Sequence, residues 1–233
     1  MTLKPTLQES ECVMINPYDG VTSLAGEVSK LRDDPQVRAT VEERVSEFLK
    51  VKETDTYSWF NELAYCLLTA YSSAVMGQLC VDTLCNCDAM LNGTLEQVQE
   101  VLRVQGHRFA MRRAEYILEA RRLAPTLKST IQDFSDTRDA RKWLVENVKG
   151  LGWKEASHFL RNVGYLDLAI IDRHILSNMR EHGLTTEDGK KGITKRRYLE
   201  YETILTKVAE KVGMPLGEMD LYLWFRKTGK VLK

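Results

Sequence analysis

Apolar positions along the chain recur at spacings of three and four rather than two, which predicts helices throughout. Pro35 to Val51 puts Val37, Val41, Val45, Phe48 and Leu49 on one face and charges opposite, with Pro35 in a first turn capped by Asp33 or Asp34. Val21 to Leu31 has the same period. Thr56 is the expected cap of a buried helix, Tyr57 to Ala70, which runs out at the polar break Thr69-Ala70-Tyr71-Ser72-Ser73 before a further helix, Ala74 to Leu84. Asn92-Gly93-Thr94 reads as a turn and the cap of Leu95 to Leu102. Phe109 to Leu123 keeps Phe109, Tyr116, Ile117, Ala120 and Leu123 on one side, and Pro125 ends it. Asp136 or Thr137 caps a helix with Ala140, Trp143, Leu144 and Val148 inward, and Trp153 to Val163 presents Ala156, Phe159, Leu160 and Val163. Met1 to Tyr18, with Pro5 and Pro17, reads as an irregular or strand-like lead-in. No hairpin dipeptide separates alternating runs, so the expected fold class is all-α.

Composition adds bounds. With 43% hydrophobic and 28% charged residues the 233-residue chain is of ordinary globular type. It has no apolar run near the roughly 20 residues that span a bilayer and no basic, apolar leader, so the expectation is a cytoplasmic protein with no membrane partner. Cys80, Cys85 and Cys87 lie close together but fit neither a paired zinc spacing nor a four-cysteine cluster run, so no metal is expected there, and neither a redox cofactor nor a catalytic metal is expected elsewhere. The net charge is zero but unevenly spread. Met1 to Tyr57 carries seven basic and eleven acidic residues, Leu102 to Lys128 seven against two, and Gly189 to Lys233 eleven against five. That distribution suits one positive face for a polyanion, although solvated helix faces would produce it too.

The chemistry concentrates between Asp139 and Ile175. Gly150-Leu151-Gly152 joins two amphipathic helices, and two glycines around one apolar residue allow a tight turn whose amides approach an external atom. The second helix begins there, so its N–H groups and positive end fit a phosphate: a helix-hairpin-helix clamp on a DNA backbone, or else a simple helix–helix turn. Lys154 sits in the first turn of that helix, where the partial positive charge repels an ammonium and so favours the neutral amine a nucleophile needs. Asp172, after the apolar run Leu168 to Ile171, is a natural N-cap for Arg173 to Glu181, which Gly183 closes. A carboxylate there can equally face the lysine and steer a proton. His158 and His174 read as structural histidines.

Taken together, Gly150-Leu151-Gly152-Trp153-Lys154 and Ile171-Asp172-Arg173-His174-Ile175 resemble the helix-hairpin-helix superfamily of base-excision DNA glycosylases. Asn61 to Gly77, Gly106 to Tyr116 and Leu221 to Lys233 make the chain most similar to the mainly archaeal second family of 8-oxoguanine DNA glycosylase/AP lyases. The resemblance implies a two-lobed fold with the DNA groove between a bundle (56–150) and a second lobe (1–55 plus 151–233), the hairpin (139–163) lying at the junction. It implies a monomer of the prokaryotic nucleoid acting on double-stranded DNA containing 8-oxoguanine. Lys154 would attack C1′ and form a Schiff base, Asp172 would assist, and Gly150 and Gly152 would hold a backbone phosphate, with an alkali cation at the hairpin carbonyls as a further expectation. Arg108 and Phe109 suit the wedge or pocket wall, Trp224 a stacking platform, and Lys233 matches the terminal lysine by which the family tells oxidised guanine from guanine. By itself Lys233 would read as a frayed end and Trp224 as core. No cysteine follows Cys87, so the iron–sulfur cluster of some superfamily members has no counterpart, nor does the β-rich N-terminal domain of the eukaryotic enzymes. The alternatives are a glycosylase for another lesion, such as an oxidised pyrimidine or a mismatch, and a non-catalytic helix-hairpin-helix module in which Lys154 only pairs with a phosphate.

Overall fold

Residues 17–189 and 192–233 are described by the structure, a computed structural model. Helix α1 (Pro17–Asp33) starts within the stretch expected to be irregular, while residues 1–16, including Cys12, lie outside the described residues. Helix α2 (Pro35–Glu53) is capped by Asp34, whose carboxylate accepts from the Gln36 and Val37 N–H groups. Helix α3 (Thr56–Thr69) is capped by Asp55, which accepts from the Ser58 N–H at 2.7 Å. The expected cap, Thr56, is the first helical residue instead, and its hydroxyl donates to the Ala124 carbonyl at 2.7 Å. A carboxylate one position earlier reaches the free amides with better charge complementarity than a hydroxyl does.

Ser73 caps α4 (Ala74–Asn86), and Thr94 with Gln97 closes a capping box on α5 (Leu95–Val104). Helix α6 (Ala110–Ala120) stops short of Leu123 because Arg121 to Leu123 tighten into a 3-10 turn. There Arg121 donates to the carbonyls of Ala89, Met90 and Gly93. The short α7 (Leu127–Gln132) follows, then α8 (Thr137–Asn147), α9 (Trp153–Asn162), α10 (Arg173–Glu181), α11 (Lys195–Val212) and α12 (Leu216–Thr228). Among the described residues there is no strand.

Buried side chains form two clusters. The first gathers around α3, from Trp59 to Leu168; the second joins α1 and α2 to Ala169 and the C-terminal helices. Helix α9 buries Ala156, Phe159, Leu160 and Val163 in the first cluster, and the chain crosses to the second at Ala169.

At that crossing lies a fully buried arginine. Arg141 of α8 is 0% exposed and donates from both terminal nitrogens to Glu202 of α11, at 2.6 and 2.7 Å, and to the Ser157 hydroxyl of α9 at 3.1 Å. Glu202 also accepts from the Ala169 N–H at 3.0 Å. Tyr198 completes the knot by donating to the Ala169 carbonyl at 2.7 Å and accepting from the Ile171 N–H at 3.2 Å. Helices α8, α9 and α11 and the extended segment before Asp172 are thereby locked to one another.

Removing one member of such a buried pair leaves the other charge without compensation. Glu202→Ala is therefore expected to lower the unfolding free energy by about 3–5 kcal/mol, measured by urea denaturation. A loss below about 1 kcal/mol would show that water reaches Arg141 and that the knot does not hold the crossing.

Candidate active site

The hairpin is built as the sequence suggests, but its two glycines do different jobs. Gly150 has φ +85°, which an L side chain rarely adopts, and a Cβ there would lie 2.2 Å from the Tyr116 ring of α6. Gly152 has φ −93° in extended backbone and precedes α9 with no side-chain cap. A Cβ at Gly152 would stand 3.0 Å from the Glu155 carboxylate, which lies against the start of α9. No N-cap side chain bonds the first amides of α9, which stand at the positive end of the helix.

Lys154 stands in that first turn, its side chain 27% exposed and its Nζ 3.8 Å from the Glu155 carboxylate. Asp172 arrives on the Leu168–Ile171 segment pinned by Tyr198 and Glu202, and it caps α10. One of its oxygens, Oδ1, accepts from the His174 and Ile175 N–H groups at 2.8 and 2.9 Å. Both charges act on the buried Asp220 of α12. Burial pushes the Asp220 carboxyl up to about 7 against the guanidinium of Arg161, with Asp172 adding to the rise and Lys154 opposing it. The lysine and the aspartate thus act on one buried acid, from segments that the Arg141 knot ties together.

His158, one turn after Lys154, is buried, yet neither ring nitrogen has a partner among the described residues. The reading as a hydrogen-bonded structural histidine is thus corrected. Burial, with the Arg161, Lys154 and Lys233 cations nearby, holds its imidazole well below the usual histidine range, so it is neutral. Its ring lies edge-on to Tyr65 at 5.8 Å.

Tyr65 leads to the last residue. Its hydroxyl donates to the main-chain oxygen of Lys233 at 2.7 Å, and the Lys233 ammonium lies 4.5 Å from the Tyr65 ring centre and 2.7 Å from Glu62. Lys233 is anchored rather than frayed. It borders a cavity of about 580 Å³ with Glu62, Tyr65, Asn162, Phe48 and Val75. Lys154 and Asp172 do not line this cavity, so it adjoins the lysine–aspartate pair through Tyr65 and His158 rather than containing it.

The other singled-out residues lie apart. Arg108 stacks over Phe109 at 5.1 Å, and Phe109, 38% exposed, meets Tyr71 edge-on at 6.3 Å. Sequence reasoning missed Tyr71, which is 87% exposed and holds a φ of +62°. The signal was an aromatic inside a polar break between two apolar helices. His107 ties the two loops together: its Nδ1 accepts from the Phe109 N–H, so Nε2 carries the proton and donates to the Leu68 carbonyl at 2.8 Å. Arg113 adds a bond to the Ala70 carbonyl at 2.9 Å. Trp224 is half-buried and sits 5.5 Å from the His174 ring, beside the start of α10 rather than beside Lys233. Cys80 is buried, whereas Cys85 and Cys87 are exposed.

The family model described as 8-oxoguanine DNA glycosylase matches residues 41–214. An 8-oxoguanine DNA glycosylase/AP lyase of Korarchaeum cryptofilum is 44% identical over 214 residues, covering 92% of this chain and all of the relative. The crystal structure of the Methanocaldococcus jannaschii 8-oxoguanine DNA glycosylase superposes with a TM-score of 0.85 at 41% identity, covering 94% of this chain and all of that one. The same enzyme bound to a 15mer DNA containing 8-oxoguanine gives 0.85 at 41% identity, over 91% of this chain and all of the other.

Gly150→Ala must force a left-handed alanine against Tyr116. It is expected to lower the unfolding free energy by about 1–3 kcal/mol and to weaken duplex binding, read by denaturation and by fluorescence anisotropy. Unchanged affinity would remove the hairpin from the DNA interface.

Proposed function

The chain belongs to the 8-oxoguanine DNA glycosylase family, and from that premise we propose that it is a bifunctional glycosylase/AP lyase that removes 8-oxoguanine from double-stranded DNA. The observation that supports this reading is an ammonium in the first turn of α9 and a carboxylate capping α10, both of which act on the buried Asp220.

The lesion must leave the base stack before a side chain can reach its C1′. Phe109 and Arg108, with Tyr71 against them, are the exposed aromatic and cationic groups for this: the rings enter the gap and the guanidinium meets a phosphate. A strained, exposed Tyr71 is costly for folding alone, of order 1–3 kcal/mol, which suits a residue kept for contact with DNA. The open amides after Gly152 take a backbone phosphate and fix the strand. Trp224 offers a face for stacking, and Lys233 reads the base edge.

Lys154 Nζ attacks C1′ as its N–H proton leaves. The C1′–N9 bond breaks, and the base departs with its electron pair and takes up a proton. Ring opening at O4′ gives an imine between Lys154 and C1′. Loss of a C2′ proton then expels the 3′ phosphate by cleaving the C3′–O bond, and water returns the amine. Oδ1 of Asp172 is held by two backbone amides, leaving Oδ2 to accept the lysine proton and to face the cationic sugar. The two lobes, a bundle (56–150) and a second lobe (1–55 plus 151–233), flank the groove with the hairpin at their junction, and the buried cluster around α3 continues past that boundary to Leu168. No helix among the described residues is long and apolar enough to cross a membrane; we place the protein on chromosomal DNA in a prokaryotic cytoplasm, as a monomer.

Reduction with borohydride during reaction with an 8-oxoguanine duplex is expected to trap a covalent protein–DNA adduct in the wild type and none in Lys154→Gln. Absence of an adduct from the wild type, or an undiminished one from the variant, overturns the mechanism. Asparagine accepts the same two amides, so Asp172→Asn should retain the melting temperature while excision falls by about 10²–10⁴-fold. A loss of stability without loss of turnover would reduce Asp172 to a cap.

A further inference from the structure

A continuous line of buried polar contacts runs from α12 to the last residue. Asp220 accepts from Arg161 Nη1 at 2.6 Å, and Arg161 donates from Nη2 to Asn162 Oδ1 at 3.1 Å. Asn162 Nδ2 donates to Glu62 Oε2 at 2.9 Å, and Lys233 Nζ donates to Glu62 Oε1 at 2.7 Å. Asn162 is fully buried, and the Glu62 and Lys233 side chains are only 13% and 22% exposed.

These contacts have a register. Lys154, His158 and Asn162 are spaced by four and so lie along one face of α9. Glu62 and Tyr65 are spaced by three on α3, and they take the two ends of the same residue: Glu62 holds the ammonium and Tyr65 holds the main-chain oxygen. Three contacts to Lys233, from Glu62, the Tyr65 hydroxyl and the Tyr65 ring, would be surplus if it were only tail, because terminal residues ordinarily forgo such ordering. A half-buried glutamate with both oxygens engaged, one by the helix of Lys154 and one by the lysine that borders the cavity, couples those two lysines in space.

We propose that Glu62 is a positioning residue for lesion recognition, holding Lys233 in register with the catalytic helix by clamping the ammonium with one oxygen and Asn162 with the other. The proposal rests on the assignment of Lys233 to base reading. The charge of Glu62 matters as well as its shape: a charge-assisted bond to an ammonium is shorter and about twice as strong as a neutral one. Glutamine at 62 keeps acceptor geometry for only one partner at a time and loses that charge.

The test compares Glu62→Ala, Glu62→Gln, Lys233→Ala and the Glu62→Ala/Lys233→Ala double variant on two substrates. One is a duplex with a single 8-oxoguanine, and the other is the same duplex with a preformed abasic site. Single-turnover rates are read for both, and melting curves identify any variant that has lost its fold. Glu62→Ala is expected to slow 8-oxoguanine excision at least tenfold while abasic-site cleavage stays within about twofold, with Glu62→Gln between it and the wild type. The double variant should be no slower than Lys233→Ala, because the glutamate acts only through the lysine. If Lys233→Ala is selective for the lesion but Glu62→Ala is not, the Glu62 proposal is overturned and the reading of Lys233 stands. Equal losses on both substrates for Glu62→Ala, or additive losses in the double variant, also overturn it by showing a general structural role. If Lys233→Ala itself depresses both substrates alike, the base-reading assignment falls and takes the Glu62 proposal with it.

Discussion

The segments that carry Lys154 and Asp172 are held together through Arg141 and Glu202. A guanidinium with no exposure can be tolerated only if its charge is met in place, and Glu202 meets it with two oxygens. What makes the arrangement more than a local solution is where the remaining valences go. Ser157 stands three residues after Lys154, and Ala169 three before Asp172, and both are bonded to the same pair of charges. A shift of α9 relative to the segment before α10 would have to break a buried, charge-assisted bond. The separation of the two reactive groups is in this way set by a residue that touches neither.

Helix α3 plays a second organising part. Its interior face fills the first cluster, its Glu62 and Tyr65 seat Lys233, and the carbonyls near its C-terminal end receive His107 and Arg113. The loop with Tyr71 and the loop with Phe109 are therefore both referenced to the rod that seats the last residue. The Tyr71 and Phe109 loops and the seat of Lys233 are thus held at a fixed spacing by one helix.

Local features were legible in the sequence and distant ones were not. The capping box at Thr94, the cap at Asp172 and the turn at Gly150 are written in adjacent residues and were readable as such. Arg141 was not, because an arginine on an amphipathic helix is ordinarily placed outward and its partner lies 61 positions away. Helix α7 spans only six residues, too few for a period to show. The cap of α3 was misplaced by one position because Asp55 and Thr56 are both competent and only the Ala124 carbonyl decides between them. Tyr71 looked like part of a polar gap, since exposure and a left-handed backbone are properties of the folded chain. The importance of Lys233 came from resemblance alone, as no periodicity reaches a last residue.

One oxygen of Asp172 is tied to two amides, and under the proposed mechanism the other serves the chemistry. The tied oxygen can be replaced by the side-chain oxygen of asparagine, serine or threonine. The free one can be replaced only by another carboxylate. Under that mechanism a single nucleotide change from an aspartate to an asparagine codon would leave the scaffold intact and silence the reaction, turning a repair enzyme into a protein that grips lesions and shields them. Selection on folding cannot remove such an allele; only selection on repair can.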